Sequence, residues 1–221
     1  SIRIMTHGTG GQSFGAFCND GMRLEHTGTC NDGVGKTACG GQIIIKSPSG
    51  HKSQSGTNVL VGNFALFGAT GGRFFVEGQA GDRFAVRNSG ASAVVEGVGD
   101  FCAEYMTNGS ILNLGDFSKG FGNGMSGGFA YQYDPTRTFS GSVSHDSVIL
   151  SYLSEDNEES RIHAAIMSPL VVMDDYHHPL WQQRFAMVWL PAGRRLVILD
   201  VALHRCFIML VLPLMPTPPS K

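Results

Sequence analysis

The sequence predicts an all-β protein: a three-sided parallel β-helix of about seven coils over residues 1–134, then a C-terminal extension, 135–221, that is partly helical. Three observations predict it. Glycine and proline divide the chain between them. Of 30 glycines, 28 lie between Gly8 and Gly128, whereas Pro48 alone precedes residue 135 and the other eight prolines follow, so the boundary falls near Asp134-Pro135. The glycine-rich part repeats at about nineteen residues. The stretches between its glycines are five to seven residues long and rich in Ile, Val, Phe and Tyr, which suits short strands and is far too short for helical repeats.

The repeat is legible as starts at residues 1, 21, 41, 72, 90, 109 and 128, separated by 20, 20, 31, 18, 19 and 19 residues. The loop-like SPSGHKSQSGTN (47–58) supplies the one long step. Three residues past each start stand Ile4, Leu24, Ile44, Phe75, Ala93, Leu112 and Tyr131, all able to face a core. A glycine follows six or seven residues past the start, as Gly8, Gly28, Gly78, Gly97 and Gly115, with Pro48 in the third line. These glycines are predicted structural corners, where positive φ and close backbone approach are needed. Nineteen residues divide into three strands and three corners.

That layout answers the GKT at Gly35-Lys36-Thr37. A phosphate-binding loop needs a glycine five residues before Gly35, where Cys30 stands, and must open a helix, yet ACGGQIIIK reads as a strand. GKT is therefore a coil corner, with its lysine toward solvent. GFGNGMSGG (120–128) precedes the strand-like FAYQYD and is a corner as well, not a dinucleotide fingerprint.

A net charge of −2 and a pI near 6.4 carry no footprint for nucleic acid. Cys18, Cys30, Cys39, Cys102 and Cys206 contain no C-x-x-C and read as buried free thiols of a reducing compartment. No signal peptide is legible at the start, and the longest apolar run, Cys206 to Met215, is too short for a bilayer. The expectation is a cytoplasmic protein with no membrane partner.

GQSFGAF (11–17), NDGVGK (31–36), GATGG (68–72), AGDRFAVRNSGASAVVEGVGD (80–100), EYMTNG (104–109) and GMSGG (124–128) resemble the C-terminal glycine-motif (GXGXG) domain of glutamate synthase large subunits. The resemblance runs from about residue 2 to 134, fades through HDSVILSYL to Ile166, and is then lost. It implies a right-handed β-helix without catalytic residue, cofactor or metal ligand of its own. Its partners would be the glutaminase and FMN-synthase domains, and the parent's FMN and iron–sulfur cluster would lie elsewhere. A more distant similarity to a formylmethanofuran dehydrogenase subunit gives the alternative, a free-standing β-helix subunit of another oxidoreductase complex. This chain departs from the family at Cys30, at Gly33 where an aromatic is usual, and at Phe101-Cys102-Ala103.

Within the most family-like stretch, Arg83, Arg87, Glu96, Asp100 and Glu104 are candidate interdomain contacts, able to pair across coils about 4.8 Å apart. Asp174, Asp175, His177 and His178 are read as a solvated loop, because neighbours in an extended chain alternate direction and a third metal ligand is missing. Ser1 fits a strand start better than an N-terminal nucleophile. Ser154 caps a predicted helix with acidic residues in its first turn, which would cover one end of the β-helix.

Overall fold

The computed structural model describes residues 1–48, 57–152, 187–189, 195–197 and 207–211. In chain order the coils supply β1 (Ile2–Thr9), β2 (Met22–Thr29), β3 (Cys39–Lys46), β4 (Val59–Val61), β5 (Gly71–Val76), β6 (Gln79–Ala80), β7 (Ser89–Gly97), β8 (Asn108–Asp116) and β9 (Phe129–Tyr133). β1, β2, β3, β5, β7, β8 and β9 pair in parallel in that order, as one long side of a β-solenoid. β10 (Ile149–Tyr152), β11 (Met187–Trp189), β12 (Arg195–Val197) and β13 (Phe207–Val211) follow. β13 pairs antiparallel with both β9 and β10, so the parallel propagation stops there. The predicted helix after Ser154 and the stretch 174–178 lie outside the described residues.

The ladder sets the inward column as Ile4, Leu24, Ile43, Phe74, Ala93, Ile111 and Ala130, at steps of 20, 19, 31, 19, 18 and 19 residues. The column read from the sequence is thus one residue late at Ile44, Phe75, Leu112 and Tyr131. Those four share the next column with Met5, Glu25 and Val94. A one-residue slip moves a side chain to the other face of a sheet. Here the slip is invisible in the apolar pattern, because Ile44, Phe75, Val94, Leu112 and Tyr131 are buried too.

The second side is short. β4 pairs with β6, and single bridges join Cys30 to Val61 and Ala80 to Val98. One corner of this side is an amide ladder. Asp32 Oδ1 accepts the Asn63 N–H at 2.8 Å, Asn63 Oδ1 accepts the Asp82 N–H at 2.9 Å, and Asp82 Oδ1 accepts the Asp100 N–H at 2.9 Å. Each side chain satisfies a backbone donor one coil further on.

The third side is a stack of turns where a third strand was expected. Five-residue segments beginning at 13, 33, 64, 83, 101 and 120 hold their first, third and fifth residues at φ between 45° and 71°. Only seven of those eighteen positions are glycine; Phe64, Leu66, Arg83, Ala85, Phe101 and Ala103 are among the rest. A left-handed non-glycine residue costs about 1–2 kcal/mol. The conformation persists because it gives every coil hydrogen bonds in both directions. Ser13 and Phe17 donate forward to the carbonyls of Asp32 and Lys36 at 2.8 and 3.0 Å, while Gly35 and Leu66 donate back to Phe14 and Val34 at 2.9 and 2.8 Å. An unmade bond at a buried N–H, as at Leu66, costs about 1–3 kcal/mol, comparable to the strain.

The core runs between these sides through Leu24, Val34, Ile43, Ala65, Phe74, Phe84, Cys102, Ile111 and Phe121. At its far end Asp134, fully buried, accepts the N–H groups of Thr138 (3.1 Å) and Phe139 (2.9 Å). That seats the Phe139 ring edge-on to Phe117 and Phe121, at 4.9 and 5.0 Å. At the near end the first coil leaves Ile2, Ile4 and Met5 exposed.

Candidate functional site

The turn stack forms the face where chemistry-bearing side chains collect. Because alternate residues are left-handed, the second residue of the last five segments points into the core (Val34, Ala65, Phe84, Cys102, Phe121), while the first and fifth are exposed or half-buried, apart from buried Gly33. The step of 18 residues then brings Arg83 beside Phe101 and Arg87 beside Tyr105. The Arg83 guanidinium lies 5.8 Å from the Phe101 ring centroid, and Lys36 lies at the same distance from the Phe67 ring. Phe17 is 72 % exposed and Tyr105 50 %. Lys36, Phe64, Phe67, Arg83 and Val86 line an open cavity of about 280 Å³.

Four of the five predicted contact residues meet here. Arg83 Nη1 reaches the buried Glu104 carboxylate at 3.5 Å, and Asn123 Nδ2 donates to its other oxygen at 3.3 Å. Arg87 is exposed. Asp100 accepts from the Ser118 hydroxyl and pairs with Lys119 at 3.3 Å; the hydroxyl bond first, then the ammonium, pull its carboxyl below the usual range. Glu96 is not among them. It sits in β7 on the sheet side, fully buried.

The predicted corner glycines stand near the ends of the long strands, where the chain leaves the sheet. Gly8, Gly28 and Gly97 have positive φ; Gly78 and Gly115 do not, and are glycine because a Cβ would press on the coil before, at Asn58 and Glu96 respectively. Gly35-Lys36-Thr37 and Gly120–Gly124 both belong to the turn stack. Lys36 is half-buried against Phe67 rather than free in solvent. The amide ladder was legible as the dipeptides Gly62-Asn63, Gly81-Asp82 and Gly99-Asp100, spaced by 19 and 18 residues. Each of those glycines leaves room for the Oδ1 beneath it.

A second charged cluster was not foreseen. The Glu25 carboxylate, 4 % exposed, bonds Arg3 at 2.7 Å, Arg23 at 2.8 Å and Lys46 at 2.9 Å, joining three coils. Neighbouring His26, equally buried, sets Nδ1 2.8 Å from the Thr6 hydroxyl and Nε2 3.1 Å from the Gly8 carbonyl. Among the described residues no group of three His, Cys, Asp or Glu could hold a metal ion, and no helix is long and apolar enough to cross a membrane.

Of the described cysteines, Cys18, Cys30 and Cys102 are buried and Cys39 is exposed. Burial pushes the thiols of Cys18 and Cys102 up, and that of Cys30 to about 11. A thiol reacts as its thiolate. Iodoacetamide at neutral pH is therefore expected to modify Cys39 in the native chain, and Cys18, Cys30 and Cys102 only after unfolding. Peptide mass mapping checks this; equal labelling of Cys30 and Cys39 would show the first two coils to be open.

Comparison with known proteins decides the family. The model described as "GXGXG motif" matches residues 1–175. The chain belongs to the GXGXG family. Relatives include the "Glutamate synthase [NADPH] large chain" of Bacillus subtilis (strain 168), 46 % identical over 167 residues, which are 75 % of this chain and 11 % of that protein. The "Glutamate synthase [NADH]" of Schizosaccharomyces pombe is 48 % identical over 158 residues, covering 72 % of this chain and 8 % of the relative. The "Ferredoxin-dependent glutamate synthase, chloroplastic" of Spinacia oleracea is 44 % identical over 147 residues, covering 66 % and 9 %. The chain spans about a tenth of the length of these curated relatives. The GXGXG match also reaches past Ile166.

Proposed function

We propose that this chain is a scaffold domain of a glutamate synthase, without catalytic residues of its own. It would hold a glutaminase domain and an FMN-synthase domain in register, so that nitrogen from the glutamine amide is transferred reductively to 2-oxoglutarate, giving glutamate. One observation carries the reading. The relatives are named for three different electron donors, NADPH, NADH and ferredoxin, yet their identities to this chain lie between 42 and 48 %. A segment equally similar to all three serves what those enzymes share rather than the donor each one uses. FMN and the iron–sulfur cluster then belong to other domains, and the protein works in the cytoplasm. Residues 1–134 form the scaffold and 135–221 its extension.

The geometry fits this role. Three buried carboxylates are engaged within the solenoid: Glu25 by three cations, Asp134 by two backbone donors, Glu104 by Arg83 and Asn123. Arg87, exposed on the turn stack, is left for an interdomain contact.

The test places this chain's sequence across the matched stretch of the intact Bacillus subtilis enzyme. Glutamine-dependent glutamate formation is expected to survive the graft. Arg87→Ala in it is expected to lower that coupled rate while glutamine hydrolysis persists. If the coupled rate is unchanged and only the melting temperature falls, Arg87 is purely structural and the docking role fails.

A further inference from the structure

We infer that the cavity between Lys36, Phe64, Phe67, Arg83 and Val86 receives one apolar side chain flanked by carboxylates, projecting from another domain of the same enzyme. The inference rests on the scaffold reading and adds the place and chemistry of the contact.

Size argues first. At about 280 Å³ the cavity lies at the small end of ligand-site sizes, roughly 300–1,000 Å³, and has room for a single side chain. Its wall chemistry follows: two phenylalanine rings and the buried Val86 offer an apolar lining. Protein interfaces concentrate aromatic residues and arginine at such central pockets.

Charge then selects the occupant's neighbours. Lys36 and Arg83 stand on the rim, and exposed Arg87 lies one residue beyond Val86. Glu104, the carboxylate that Arg83 reaches, is only 7 % exposed. Asp82, exposed at the neighbouring corner, uses Oδ1 on the Asp100 N–H. An approaching partner therefore meets cations around an apolar hole, and carboxylates beside its apolar residue are the complementary arrangement.

Local order favours the same site. Phe64 holds a left-handed backbone conformation and lays its ring over Gly33, where a Cβ would stand 3.0 Å from the ring edge. The ring that walls the cavity is supplied from the coil after Gly33 and packs on that glycine.

The test uses the same full-length graft, with p-benzoylphenylalanine replacing Phe67. Irradiation is expected to cross-link it to one peptide outside the graft, bearing an apolar residue beside Asp or Glu, and Lys36→Glu should abolish that product. If the Phe67 variant does not assemble, judged by glutamine-dependent turnover, the probe moves to Phe64. A cross-link to a basic segment, or none from the cavity while a probe at Arg87 captures another domain, overturns the cavity contact and leaves the scaffold reading standing. No interdomain cross-link from either position overturns both.

Discussion

Alanine at position 115 is expected to destabilise the solenoid by about 3 kcal/mol, seen as a fall in the urea midpoint at pH 7. Val95 pairs with Asn113 but Gly97 with Asp116, so β8 spends one residue more than β7 over the same step. That extra residue makes a β-bulge. Gly115 sits in it so close to the coil before that an added Cβ would overlap the Glu96 carbonyl oxygen. Asn113 ties the bulge from both sides, its Nδ2 donating to the Asp116 carbonyl at 2.8 Å and its Oδ1 accepting the Gly115 N–H at 3.3 Å. Neither partner can give way without opening the ladder. Gly8→Ala is the internal control. Its φ is +99° but nothing lies within 4 Å of its would-be Cβ, so only backbone strain of about 1–2 kcal/mol is expected. Where a backbone tolerates both residues, glycine-to-alanine stabilises by about 0.4–1 kcal/mol through the unfolded chain. A neutral or stabilising Gly115→Ala would therefore refute the overlap.

The repeat was legible because glycine and apolar residues recur together at nearly constant steps, and the parallel solenoid follows from that. Its phase was not. Ile43, Ile44 and Ile45 are all buried, as are Phe74, Phe75 and Val76, so a sheet covered on both faces reads as a continuous apolar run with no alternation to fix the register. The doublets Gly40-Gly41, Gly71-Gly72 and Gly127-Gly128 let each start slide by one residue. The turn stack was hidden for a different reason. Left-handed backbone is read from glycine, and Phe64, Leu66, Arg83 and Ala85 adopt it because the neighbouring coils demand it. Arg83, Arg87, Asp100 and Glu104 could be grouped, since residues one coil apart are neighbours. Glu96 lies on a different side of the same coil, which spacing alone does not distinguish.

Glu25→Gln tests the cluster that crosses the first three coils, and its expected signature is a pH dependence. Burial pushes the Glu25 carboxyl up, but hydrogen bonds from Lys46, Arg23 and Arg3 outweigh it and hold the group at about 2, below its ordinary 4.5. A carboxyl whose pKa is lower folded than unfolded binds protons preferentially in the unfolded chain. Its stabilisation is complete above about pH 4.5 and is lost as pH falls from there toward 2. A displacement of that size corresponds to roughly 3 kcal/mol. The expected loss in the variant at pH 7 is smaller, about 2 kcal/mol, because Arg3 and Lys46 are 56 % and 31 % exposed and solvent weakens their pull. Wild type and variant should differ fully from pH 7 down to about 4.5, then converge as Glu25 protonates. Their difference isolates this group from Asp100, which titrates in both. The variant also leaves three cations from successive coils facing one neutral amide, so added salt should narrow the gap at pH 7. Parallel urea-unfolding curves across this pH range would show two unchanging, equally spaced stabilities if the carboxylate were merely a packing element.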